Sequence, residues 1–147
     1  MDAVTASLIG TGVGIVGTLS ATIVGNLFQV RGQHQQWRRD NIRQECRELL
    51  GQLSVTLFAT IERQRSAVTG DLSPNAEAII RQHYNAVLDL HRNLGSRILI
   101  SREIRKARIK DRWAEAATAY LKDNDEKKLT QEYEAIAEEI RKFGVEA

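Results

Sequence analysis

The sequence predicts an all-α protein: an N-terminal Gly/Ala-rich transmembrane helix running into a long amphipathic helix, followed by three helices forming a small bundle. Three observations carry this prediction. Ala3 to Val30 hold no formal charge, apolar residues after Val30 recur at three- and four-residue intervals, and the only proline is Pro74. A chain of 147 residues holds one compact core of ordinary size. The expected division is therefore a transmembrane helix over residues 1–30 and a cytoplasmic helical bundle over 31–147. Charged residues at 27% and hydrophobic ones at 42% exclude collagen-like, Pro-rich or wholly disordered chains.

The first element is the uncharged run. Its 28 residues are enough to cross the roughly 30 Å hydrocarbon core at about 1.5 Å per helical residue. Thr5, Ser7, Thr11, Thr18, Ser20, Thr22, Asn26 and Gln29 dilute its aliphatic residues, so a helix buried at the centre of a soluble oligomer is the main competitor. A cleaved signal peptide fits less well, because no Lys or Arg precedes the run and no small-x-small site leads into a polar start. At 100° per residue, Ala3, Ala6, Gly10, Gly14, Gly17, Ala21 and Gly25 share one stripe, while most bulky aliphatics take the wider arc. In lipid, small residues let helix backbones approach closely, which predicts self-association of the span through Ala6, Gly10, Gly14, Gly17, Ala21 and Gly25. Arg31, Arg38, Arg39, Arg43 and Arg47 follow the run and no basic residue precedes it, so the N-terminus is expected outside the cell. Trp37 and these arginines are then expected near the cytoplasmic headgroups.

The second element continues the first. Ile42, Cys46, Leu49, Leu50, Leu53, Leu57 and Ile61 keep helical spacing and predict a helix to about Ala67, with Gly32 and Gly51 as its weak points. Thr69, Gly70 and Asp71 mark a turn. Ser73 before Pro74 reads as the cap and first turn of the next helix, whose apolar positions are Ile80, Tyr84, Val87, Leu94 and Ile98 and whose bend or end is Gly95. Ser101 is expected to cap a third helix bearing Ile104, Trp113, Ala116, Ala117 and Tyr120, ended by Asp123 to Asp125. Leu129, Tyr133, Ile136, Ile140 and Phe143 repeat at 4, 3, 4, 3 and form the seam of the last helix. Four helices with such stripes make a small bundle or coiled assembly.

A charge-poor Gly-rich N-terminus, then QWRRDNIRQECRELLGQLS, SRILISREI and DRWAEA before a short final helix, resembles a group of small, uncharacterised bacterial single-span membrane proteins with a cytoplasmic helical tail. The resemblance covers most of the chain. It implies topology alone and brings no activity, ligand or catalytic residue.

The residues themselves offer no catalytic set, no cofactor site and no metal site. His34, His83 and His91 lack the accompanying ligands of a zinc motif, and the eight-residue spacing of the last two puts about 12 Å between their backbones. The single Cys46 cannot form an internal disulfide, and on the apolar face of its helix it is expected to be inert. GTGVGIVG at Gly10 to Gly17 lacks the Lys and Ser or Thr of a phosphate loop. The chief charge feature is Arg97 to Arg112, with seven basic and two acidic residues for a net of +5, against residues 113–147, with five basic and nine acidic for a net of −4. These are expected to attract each other within the bundle or between subunits. The second candidate partner is anionic lipid, met by Arg31, Arg38, Arg39, Arg102, Arg105 and Lys106. Nucleic acid ranks last, since no recognition motif is present and aromatic residues are not interleaved with the basic patch.

The expected function is that of a non-enzymatic, single-span inner-membrane protein. It self-associates through its small-residue face and offers its cytoplasmic helices to a further protein. The alternatives are a membrane-active, pore-forming or holin-like effector whose Thr, Ser and Asn side chains line a wet path, and a soluble helical oligomer with a buried uncharged helix.

Overall fold

In a computed structural model the chain is all-helical, with no strand among the described residues. The structure describes the backbone of residues 3–70 and 74–146 and the side chains of residues 25–70 and 75–146. Five helices follow in order: α1 (Ala3–Thr69), α2 (Pro74–Ser96), α3 (Ser101–Lys106), α4 (Ile109–Asp123) and α5 (Glu126–Val145). The chain divides into two compact units, Met1–Arg38 and Arg39–Ala147.

Helix α1 passes through Gly32 and Gly51 without a break. Each glycine costs about 1 kcal/mol of helix propensity, too little to interrupt a helix that loses no hydrogen bond to proline. It stops where Gly70 takes a φ of +65°, a left-handed conformation that glycine adopts without steric penalty. Residues 71–73, including the expected cap Ser73, lie outside the described residues, and α2 begins at Pro74 as expected.

The core of the second unit is built on α1. Ile42, Cys46, Leu49, Leu53 and Leu57 are buried, with Leu50 and Ile61 packed partly against them. Thr56 and Thr60, unexpected from the apolar pattern, are fully buried on the same side. Their hydroxyls donate to the carbonyls of Gln52 and Thr56 at 2.8 and 2.7 Å, so neither brings an unpaired polar group into the core. Leu129, Ile136 and Ile140 of α5 supply the facing apolar surface, each worth about 1.5–3 kcal/mol on burial.

Four expectations are corrected by the packing. Ile80 and Tyr84 do not face the core: they are 55% and 62% exposed, and the inner face of α2 is His83, Ala86 and Leu90. Ile98 lies beyond the end of α2 and is 81% exposed. The expected third helix is two helices, because Arg108 takes a left-handed conformation with φ 51° between α3 and α4. That reversal lets Ile104 and Ile109, on either side of it, both reach the core. Ser101 is the first helical residue rather than the cap, and its hydroxyl donates to the Ile98 carbonyl at 3.1 Å. Asn124, at φ 56°, ends α4, and Asp125 caps α5 by accepting from the Lys128 backbone N–H at 3.0 Å.

Candidate functional site

Two surfaces carry most of the functional expectation: the first unit and the basic helix α3. Ala6, Gly10, Gly14, Gly17 and Ala21 lie outside the residues whose side chains are described. The sixth stripe position, Gly25, borders open space, with nothing within 4 Å of where a Cβ would stand. From Gly25 to Arg39 every side chain is exposed, whichever face of the helix it occupies. Leu27, Phe28, Val30 and Trp37 are 56%, 68%, 61% and 57% exposed. Among the described residues, no element of the same unit covers these apolar side chains. Among the described residues no helix is long and apolar enough to cross a membrane, and most of the uncharged run lies before Gly25.

Arg31, Arg38 and Arg39 follow this apolar stretch, and the rings of His34 and Trp37 stack at 5.9 Å with 17° between planes. Within the second unit, Arg43 pairs with Asp40 at 3.9 Å and its Nε donates to the Gly144 carbonyl at 3.5 Å. That contact ties the C-terminal turn of α5 to the start of the unit's own part of α1. Gly144 sits there against Cys46, where an added Cβ would lie 3.7 Å from Sγ. Cys46 is 4% exposed, and burial, with the nearby Glu45, pushes its thiol up to about 11. It is held as a protonated, unreactive apolar group, as its position in the sequence implied.

Arg97 lies close by. Its guanidinium donates to Glu48 of α1 and to the Asn93 side chain, pinning the α2–α3 turn to the same stretch of α1. The Gln44 amide, at 2.9 Å, and then Arg97 hold the Glu48 carboxyl below its usual range. Four residues after Arg97 comes α3, whose Ile104 is buried in the core while Arg102, Arg105 and Lys106 are exposed.

The attraction expected between the basic and acidic segments is carried by Arg112 of α4, which bonds Glu132 of α5 at 2.8 Å. Arg108, just before α4, also reaches the acidic segment through Glu115 at 3.4 Å, besides pairing with Asp111 at 3.5 Å. A further link to the acidic segment comes from outside the basic run: Arg65 of α1 reaches both carboxylate oxygens of Glu126 at 3.1 Å. It is exposed and contributes at most about 1 kcal/mol. Beside the Arg112–Glu132 pair lies an open groove between α4 and α5, of about 490 Å³, lined in part by Tyr120, Asp123, Lys128 and Gln131. Its charged lining is two basic residues, Arg112 and Lys128, and four acidic ones, Glu115, Asp123, Asp125 and Glu132, of which Arg112 pairs with Glu132 and Glu115 with Arg108.

His83 is buried, and its Nδ1 lies 3.2 Å from Nη1 of Arg63. Arginine only donates, so His83 accepts at Nδ1 and carries its proton on Nε2. His91 is exposed. Among the described residues no group of three His, Cys, Asp or Glu side chains is placed to hold a metal ion.

Sequence reasoning missed Arg97 and His83 for the same reason. A polar residue at the inner edge of a helix is recognisable only once its partner on another helix is known, here Glu48 and Arg63. No family model, curated protein or solved structure matches the chain.

Proposed function

We propose that the chain is a non-enzymatic, single-span protein of the bacterial inner membrane, with its N-terminus outside and its helical module in the cytoplasm. It self-associates through Ala6, Gly10, Gly14, Gly17, Ala21 and Gly25 and offers the module to a cytoplasmic partner. The observation that carries this reading is the unbroken course of α1 through the uncharged run, with Leu27, Phe28 and Val30 exposed ahead of Arg31. A helix satisfies its own backbone hydrogen bonds, which any segment in hydrocarbon must do. Its exposed aliphatics match acyl chains, and the arginines that follow match the cytoplasmic side.

Alkaline extraction of membranes, joined to thiol labelling at Val68→Cys, tests the reading. Val68 is 63% exposed, and the native Cys46 is buried with a raised thiol pKa, so the new thiol reports alone. The chain should stay with the membrane at high pH. The new thiol should react with an impermeant maleimide only after permeabilisation. Release by alkali would sink the span and favour the soluble oligomer, and labelling of intact cells would reverse the orientation.

A further inference from the structure

Along the described part of α2, His83 is the first buried side chain. From residue 75 to 82 only Ala76 and Ile79 are half-buried and the others are exposed, whereas Ala86 and Leu90, further along, are buried. The polar ties between α1 and α2 are uneven in the same way. Gln52 and Thr56 both donate to the Ala86 carbonyl at 3.3 Å, and Arg97, just past the end of α2, donates to Glu48. Ahead of Ala86 the tie among the described residues is Arg63 to His83. The first half of α2 is therefore held through one imidazole, for as long as its Nδ1 can accept from a guanidinium.

The surroundings of that ring offer a second proton no compensation. From α1 it meets Arg63, and on α2 its neighbours one turn away, Ile79, Ile80, Ala86 and Val87, carry no charge. Among the described residues no carboxylate pairs with the ring, and Arg63 is the one charged group whose field moves its titration. We propose that residues 74–85 are an acid-released arm: protonation of His83 sets an imidazolium against the Arg63 guanidinium, and this stretch comes away from α1 while Arg97 keeps the other end pinned to Glu48. Both ring nitrogens then donate, and Nδ1 faces a cation instead of a donor it can accept from. Little else opposes the release, since no aliphatic side chain of this stretch is fully buried, in contrast to Leu129, Ile136 and Ile140 of α5.

Hydrogen exchange of the full chain in a neutral detergent, read at pH 7.5 and 5.5 and corrected for intrinsic rates, tests the arm. Amides of residues 79–85 should be less protected than those of residues 136–140 at both pH values, because they open without unfolding of the whole unit. Their protection should fall several-fold in acid, to a limit of about ten-fold for one proton taken up by a group of ordinary pKa 6.5. His83→Gln keeps an acceptor for Arg63 and should abolish the fall, and Arg63→Gln keeps a donor to Nδ1 without the charge and should make it shallower. Equal protection of the two segments overturns the arm, since α2 then opens only with the whole unit. No fall in the parent, or a fall that His83→Gln leaves intact, overturns His83 as the trigger. If His83→Gln does not fold, Arg63→Gln decides, and a fall as steep as the parent's overturns the proposal.

Discussion

The guanidinium of Arg63 donates to Nδ1 of His83 across the α1–α2 interface, so a buried imidazole is held neutral by a cation 3.2 Å away. Protonation of that nitrogen removes the acceptor and sets two positive groups against each other. Burial first, and Arg63 second, lower the His83 pKa from its ordinary 6.5.

A pH dependence of stability follows. A base whose pKa is lowered by folding contributes stability that is complete above the unfolded value near 6.5, and that is lost as pH falls towards the lower folded value. Melting temperature is expected to drop between pH 7.5 and 5.5 by more than the background of the carboxylates, which titrate lower. His83→Gln keeps an acceptor for Arg63 but cannot be protonated in this range, so its melting curve should be flatter with pH. Equal slopes for the parent and His83→Gln would exclude this pair as the source.

The phase of α2 can be read by paired substitutions. Ile136→Ala, in a position with no exposure, should cost about 2–5 kcal/mol through lost burial and a residual cavity. Ile80→Ala, at 55% exposure, should stay within about 0.5 kcal/mol of the parent. Denaturant titration followed by circular dichroism measures both. A large loss at Ile80 would restore the stripe that the sequence alone suggested.

The α3–α4 reversal stores backbone strain. Arg108 at φ 51° costs roughly 1–2 kcal/mol, against at most about 1 kcal/mol from its exposed pairs with Asp111 and Glu115. Arg108→Gly should therefore leave stability unchanged or raise it, whereas Gly70→Ala, at φ +65°, should lower it by about 1 kcal/mol. Thermal melts of the two variants give the signs directly, and a destabilised Arg108→Gly would show that its ion pairs outweigh its strain.

The proposed association of the span makes a directional claim. Gly14→Leu or Gly17→Leu should force a bulky side chain between helix backbones and weaken self-association by about five-fold or more. Leu19→Ala, on the opposite arc, should change it little. A genetic dimerisation reporter in the membrane compares all three, and a Gly14→Leu signal equal to the parent's would leave the cytoplasmic helices as the route to an oligomer.

Much of the fold was legible in the sequence because helical periodicity is a local property. On α1, most of the apolar residues from Ile42 to Ile61 fall on one side, with Val55 and Phe58 exposed away from it, so spacing and facing direction come together. The same holds for Leu129, Ile136 and Ile140 of α5, and the Asn124–Asp125 junction announced itself through residues that tolerate left-handed backbone and cap helices. Helix α2 was different. Ala76, Ile79, Ile80, Val87, Leu88, Leu90 and Leu94 surround much of its circumference, so more than one stripe fits the same period, and the choice falls to whichever phase packs against α1.

What the sequence determined by itself, then, was the helical class, the inner faces of α1 and α5 and the uncharged run ahead of its arginines. Each of these is written in residues close enough along the chain to share a turn or a face. Only the tertiary structure decided the rotation of α2, the burial of His83 and of Thr56 and Thr60, and the reversal at Arg108. Those depend on partners 20 to 101 residues away, as the Arg63–His83 and Arg43–Gly144 contacts mark out, and no local pattern encodes a contact whose energy exists only after the chain has closed the loop between them.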